Sequence, residues 1–195
     1  MSATIASRAL GARTGLPAQI GLAVAGSLVL AISAKLSVQL GAVPFSFQTL
    51  ALIVIAACYG RNLAVATVVL YLAQGLAGLP VFTPTTLPGP AAFLGPTGGF
   101  LAGFVVCAAI VGEAADRGLD RSPLTLAPAM LVGIVALFAM GWAWLAFGAT
   151  LSSGAVGAGV ANAWAWGVAP FIVGDLVKIA IAALAVPAGH ALLKR

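Results

Sequence analysis

The chain has 195 residues, 62% of them apolar and 7% charged, with a formal charge of +5 and a mean hydropathy of +1.15. A soluble domain carries about 25% charged residues, and nine Lys/Arg with four Asp/Glu cannot cover a folded particle of this size in water. A soluble globular domain is excluded, and so is a disordered chain, which would be polar and charge-rich; lipid is the solvent that fits.

A membrane-spanning helix needs about 20 mostly apolar residues. Stretches free of Asp, Glu, Lys and Arg run over 14–34, 36–60, 62–112, 122–174 and 179–193, and Gly/Pro-rich breaks divide the third and fourth. Six helices are therefore predicted, over 17–40, 44–59, 62–79, 97–115, 124–147 and 170–192, forming one domain over 1–195. The fold class is an all-α membrane protein, a six-helix transmembrane bundle with structured outer loops capping a ligand pocket.

Helix 1 exceeds the 7 to 15 residue apolar core of a cleavable signal and is expected to be retained. It repeats a small residue every fourth position, at Ala23, Ser27 and Ala31. Such a stripe permits close helix contact, within the chain or with a membrane partner. Lys35, near the outer end, is expected to snorkel to the headgroups. Helix 2 is short, so it crosses by thinning the bilayer or by packing deep in the bundle.

Between helices 3 and 4, residues 78–99 hold five Gly and five Pro, which forbids a regular helix. Val81, Phe82, Leu87, Phe93 and Leu94 make the segment apolar. It is expected to fold back as a cap, the other reading being an interfacial loop resting in headgroups. Trp142 and Trp144 close helix 5, and Trp164 and Trp166 lie in the next outer connection. The four indoles form an aromatic belt or help roof a small-molecule pocket.

Helix 6 opens at Pro170 and carries Asp175 and Lys178, spaced i,i+3 on one face. Ionisable groups inside a bilayer are costly and mark functional candidates. The pair either braces two helices or presents an acceptor and a donor to a ligand arriving from outside.

Seven of the nine basic residues orient the chain: Arg8 and Arg13 before helix 1, Arg61 after helix 2, Arg117 and Arg121 after helix 4, Lys194 and Arg195 after helix 6. The opposite connections carry no charge. By the positive-inside rule both termini are cytoplasmic. Basic residues placed this way are topology markers rather than a nucleic-acid footprint.

No lysine follows glycine, so the phosphate-loop motif is absent. No Gly-x-Ser-x-Gly motif or metal-ligand spacing occurs either. Cys58 and Cys107 sit inside apolar runs and are expected to be packing residues. Binding or transport gains over enzymatic function, and no metal or cofactor is implied.

Several short stretches fall in a recognisable order: Val43-Pro44-Phe45 with Gln48-Thr49; Tyr71-Leu72 to Gly75 and Gly78-Leu79-Pro80-Val81-Phe82; Gly95-Pro96-Thr97-Gly98-Gly99-Phe100; and Pro170-Phe171 with Gly174-Asp175 and Lys178. With these the chain resembles the BioY family, the biotin-specific substrate-binding (S) components of energy-coupling-factor (ECF) vitamin transporters. The resemblance implies a six-helix protein that captures biotin from outside and joins a transmembrane coupling protein (T component) and two ABC-type ATPase subunits. It implies that Ala23, Ser27 and Ala31 touch the coupling protein. Asp175 and Lys178 would bind the vitamin with help from the segment after Pro80-Val81-Phe82, and Gln48, Tyr71, Phe82, Thr83, Phe93, Gly95 and Thr97 are further candidate contacts. Members that carry an amide after the Pro-Val-Phe segment differ from this chain, where Thr83-Pro84-Thr85-Thr86 has none. Asp175 can accept from the ureido N–H groups while Lys178 donates to the ureido carbonyl, or Lys178 can pair with the carboxylate. The same architecture serving another vitamin, and an ion or proton pathway with Asp175 as relay, are the competing functions.

Overall fold

The computed structural model of the chain describes Ile5 and residues 15–39, 42–84, 86 and 89–192. Arg8, Arg13, Lys194 and Arg195, the Thr85 and Leu87 positions of the outer cap, and position 40 at the expected end of helix 1 lie outside the described residues.

Among the described residues the regular structure is helical apart from one hairpin and an isolated antiparallel bridge between Thr150 and Val156. Helix α1 (Leu16–Lys35) starts with a proline in its first turn, where the missing N–H costs nothing. It stops at Lys35, five residues before its predicted end, because Leu36 leaves the helical region. Strand β1 (Ser37–Gln39) then pairs antiparallel with β2 (Pro44–Ser46), Val38 opposite Phe45. This hairpin replaces the end of predicted helix 1 and the start of predicted helix 2. Its residues are apolar enough to extend a hydropathy run, and Pro44, with no N–H to give, sits at the first position of its strand.

Helices α2 (Gln48–Tyr59) and α3 (Arg61–Leu76) meet at Gly60, whose φ of 77° suits glycine. A four-residue helix α4 (Ala91–Leu94) lies in the outer cap, followed by α5 (Gly98–Asp116). A 3₁₀ turn (Leu119–Arg121) leads into α6 (Pro123–Phe147). The second outer connection contains α7 (Val160–Gly167), which a 3₁₀ turn (Ala169–Phe171) joins to α8 (Ile172–Leu192). Four helical stretches are long and apolar enough to cross a membrane, Leu16–Lys35, Gly98–Asp116, Pro123–Phe147 and Val160–Leu192; α2 and α3 are shorter. The lengths alone thus establish a helical membrane protein with four clear spans.

Helix α5 is the central element, 67% buried along its span against 22% for α1. Small residues let its neighbours close on it. A Cβ on Gly103 would stand 2.9 Å from Leu137 Cα of α6, and one on Gly112 would stand 2.6 Å from Arg61 Cα of α3. Cys107 is buried in this seam and Cys58 partly so, both as free thiols.

The stripe on α1 turns toward the bundle over Ala23 and Ser27, while Ala31 is only partly buried. Ser27 is wholly buried and Ala23 nearly so. Gln74 Nε2 of α3 donates to Ser27 Oγ at 3.2 Å. The exposed face of α1 carries Ile20, Val24, Leu28 and Ile32 instead.

Arg61, Glu113, Asp116, Arg117, Asp120 and Arg121 gather at one end. Glu113 pairs with Arg117 at 2.8 Å and with Arg61 at 3.5 Å, and buried Asp120 bonds His190 of α8. At the opposite end, connections 77–97 and 148–171 have no charged residue. They are tied together: Thr150 N–H donates to the Leu94 carbonyl at 2.8 Å, and Trp144 Nε1 donates to the Gly95 carbonyl at 2.9 Å. The apolar cap is therefore folded onto the bundle.

Candidate functional site

Asp175 and Lys178 lie in the first two turns of α8, facing inward, with 2% and 6% of their surfaces exposed. Helical i,i+3 spacing brings Lys178 Nζ to 2.8 Å from Asp175 Oδ1. The hairpin and α2 complete the arrangement. Lys178 Nζ also donates to the Ser46 carbonyl at 2.7 Å and to Thr49 Oγ1 at 2.9 Å. Thr49 Oγ1 donates to Asp175 Oδ1 at 2.6 Å. The Phe45 ring lies 4.2 Å from Lys178 Nζ, a cation–π contact. Gly174 makes that placement possible, because a Cβ there would stand 2.6 Å from the Phe45 ring.

An ammonium has three N–H donors, and those of Lys178 all have protein partners. The carboxylate is different: Asp175 Oδ2 is buried with no hydrogen-bond partner among the described residues. A buried unpaired acceptor is costly, so this oxygen is the open valence of the site.

A second polar chain leaves the same wall. Gln48 Nε2 donates to the Tyr71 hydroxyl at 2.7 Å, and that hydroxyl donates to the Val81 carbonyl at 3.3 Å. Thr83 and Thr86 hydroxyls bond each other at 2.7 Å. The remaining walls are aromatic. Phe45, Phe171, Phe138 and Phe100 form a row with successive centroids 5.8 to 5.9 Å apart. Phe45 stacks on Phe171, and Phe100, Phe138 and Phe171 of this row, together with the polar groups above, line a cavity of about 60 Å³. It adjoins an outer groove of about 790 Å³, and Pro44, Thr86 and Thr97 line both.

Of the sequence candidates, Asp175, Lys178, Gln48, Tyr71, Phe82, Thr83 and Thr97 border the cavity. Phe93 stands behind the wall, edge-on to Phe82 at 5.9 Å. Gly95 lines the outer groove, its carbonyl held by Trp144. Thr49 and the Ser46 carbonyl were not singled out as contacts. A lone hydroxyl in an apolar run is a weak signal, and a carbonyl gives none. Thr83 and Thr86 line the cavity together with the Gln48 amide.

The four tryptophans divide between both sequence readings. Trp144 pins the cap, and Trp142 Nε1 donates to the Val160 carbonyl at 3.3 Å. Trp164 and Trp166 are exposed, as in an interfacial belt.

Comparison with known proteins agrees with the geometry. A profile described as "BioY family" matches residues 3–195. The chain is 33% identical over 153 residues to a "Probable biotin transporter BioY" of Pyrococcus horikoshii, covering 78% of this chain and 84% of that protein. It is 35% identical over 171 residues to a "Biotin transporter BioY" of Rhodobacter capsulatus, covering 85% and 87%. A crystal structure of the "S-component for biotin from an ECF-type ABC transporter" has a TM-score of 0.75 with this fold at 22% identity, covering 91% of each chain.

Proposed function

The chain belongs to the BioY family, and from that premise we propose that it binds biotin and takes it up across the cytoplasmic membrane. It does so as the substrate-specific component of an ECF-type transporter, working with a transmembrane coupling protein and ABC-type ATPase subunits that hydrolyse ATP. The observation that carries this reading is the buried Asp175–Lys178 pair, one carboxylate oxygen of which lacks a hydrogen-bond partner among the described residues, at the border of an aromatic cavity. Biotin's ureido ring offers two N–H donors and a carbonyl acceptor, and its other ring and valerate chain are largely apolar. Asp175 Oδ2 accepts from the ureido N–H, a charge-assisted bond strengthened by burial. Lys178 reaches the ureido carbonyl by exchanging one of its present acceptors. The phenylalanine row packs the apolar parts, and the carboxylate points to the outer groove.

The same reading takes the molecule as one domain with six crossings. Helices α1, α5 and α6 and the α7–α8 unit provide four, and α2 and α3 the remaining two, packed against α5. The end bearing Arg61, Arg117 and Arg121 faces the cytoplasm.

Calorimetric titration of the purified chain with biotin, thiamine and riboflavin tests the assignment. Saturable binding of biotin alone is expected. A folded chain that ignores biotin, or binds all three alike, would sink it.

A further inference from the structure

We propose that Lys35 is a positioning residue: it clasps the outer wall of the cavity, and release of this clasp sets how fast the ligand leaves. The inference rests on the biotin reading for its ligand, and on the following geometry for its mechanism.

The wall is the segment 80–84 between α3 and α4, and Phe82 is its anchor. The Phe82 ring occupies the space beside Gly75, where a methyl group would collide with it. It stands edge-on to Tyr71 at 5.4 Å. Two successive carbonyls of this segment are held from different helices. Tyr71 of α3 donates to the Val81 carbonyl at 3.3 Å, and Lys35, the last residue of α1, donates through Nζ to the Phe82 carbonyl at 2.7 Å. The second bond is the shorter, and it is charge-assisted.

Phe82 and Thr83 border the cavity and are only 4% and 6% exposed. The void they close is about 60 Å³, room for a few water molecules and too little for a bicyclic ligand. Passage of such a ligand therefore requires the wall to move, and the groove beyond Thr86 gives it space. Lys35 itself is exposed, so water can replace its bond to the wall. A strong bond to the wall from a donor at the solvent edge makes a releasable fastening, in contrast to the buried Gln48–Tyr71 bond beneath it.

The test compares Lys35→Met, Lys35→Arg and the parent in nanodiscs. Dissociation of radiolabelled biotin is expected to accelerate ten- to hundredfold in Lys35→Met, as for loss of a charge-assisted bond, and to return to within about threefold of the parent in Lys35→Arg. The uncharged amide of biotin is expected to show the same acceleration; a loss confined to the free acid would make Lys35 a carboxylate partner and overturn the clasp. A second readout needs no vitamin. A cysteine introduced at Thr83 is expected to react slowly with a membrane-impermeant maleimide in the parent background and about tenfold faster with Lys35→Met. Equal labelling rates overturn the clasp, whereas faster labelling without biotin binding by any variant upholds it and overturns only the vitamin assignment.

Discussion

Lys178 gives all its N–H donors to the chain while Asp175 Oδ2 has no partner among the described residues, and the proposed ligand role of the pair turns on this asymmetry. Removing one member strands the other charge, at a cost of about 3 to 5 kcal/mol. The informative variant is Asp175→Asn with Lys178→Met, which leaves no stranded ion. It is expected to fold and to lose several kcal/mol of biotin affinity by calorimetry, about 1.5 to 3 kcal/mol for each charged bond to the ligand. Near-native affinity in a folded double variant would remove both residues from the site. Tyr71→Phe deprives Gln48 of an acceptor and Val81 of a donor, and is expected to weaken binding by about 1 to 3 kcal/mol; an unchanged dissociation constant would separate that hydroxyl from the cavity wall. At this scale the sequence was informative where a residue type clashes with its surroundings. Asp175 and Lys178 are conspicuous in an apolar run. Thr49 is not, until the hairpin brings Ser46 and Phe45 around it. Lys35 looks like a snorkelling side chain because its acceptor, the Phe82 carbonyl, lies 47 residues away.

Helices were legible as elements and their ends were not. Hydropathy finds α5 and α6 almost to the residue, since lipid-facing and core-facing positions are both apolar. The same insensitivity carries predicted helix 1 through β1, because Val38 extends the run as readily in a strand as in a helix. It likewise hides α7 inside an Ala/Gly-rich connection. Small residues raise a related ambiguity, since spacing shows that something approaches closely but not what. On α1 the neighbour is α3. Ser27→Trp is therefore expected to lower folding yield and the thermal midpoint together; a variant that folds normally and loses only assembly with a coupling protein would put the stripe back on the outer surface. On α5, Gly103→Ala forces a methyl against Leu137 backbone atoms 2.9 Å away, which cannot rotate aside. Overpacking of this kind costs about 1 to 3 kcal/mol, read as a depressed midpoint in a detergent melt.

For the whole molecule, sidedness is the property to measure. Cysteines placed at Ser153 and Arg121, both exposed, probe opposite ends. Asp120 is a poor probe because it is buried against His190. An impermeant reagent applied to intact cells is expected to label position 153 and spare 121; the reverse pattern would invert the orientation. The ion pair on α8 has a consequence on this scale as well. A single charge moved through the full membrane field is worth about 2.3 kcal/mol per 100 mV, so a binding site whose lone lysine or aspartate shifted along the field on capture would change affinity as the cell's voltage changed. Asp175 and Lys178 sum to zero over 2.8 Å, leaving the field little more than a short dipole to act on. Vitamin capture by such a site is electrically silent on the protein's side, and any voltage dependence of uptake would belong to the charge on the vitamin or to the partner subunits.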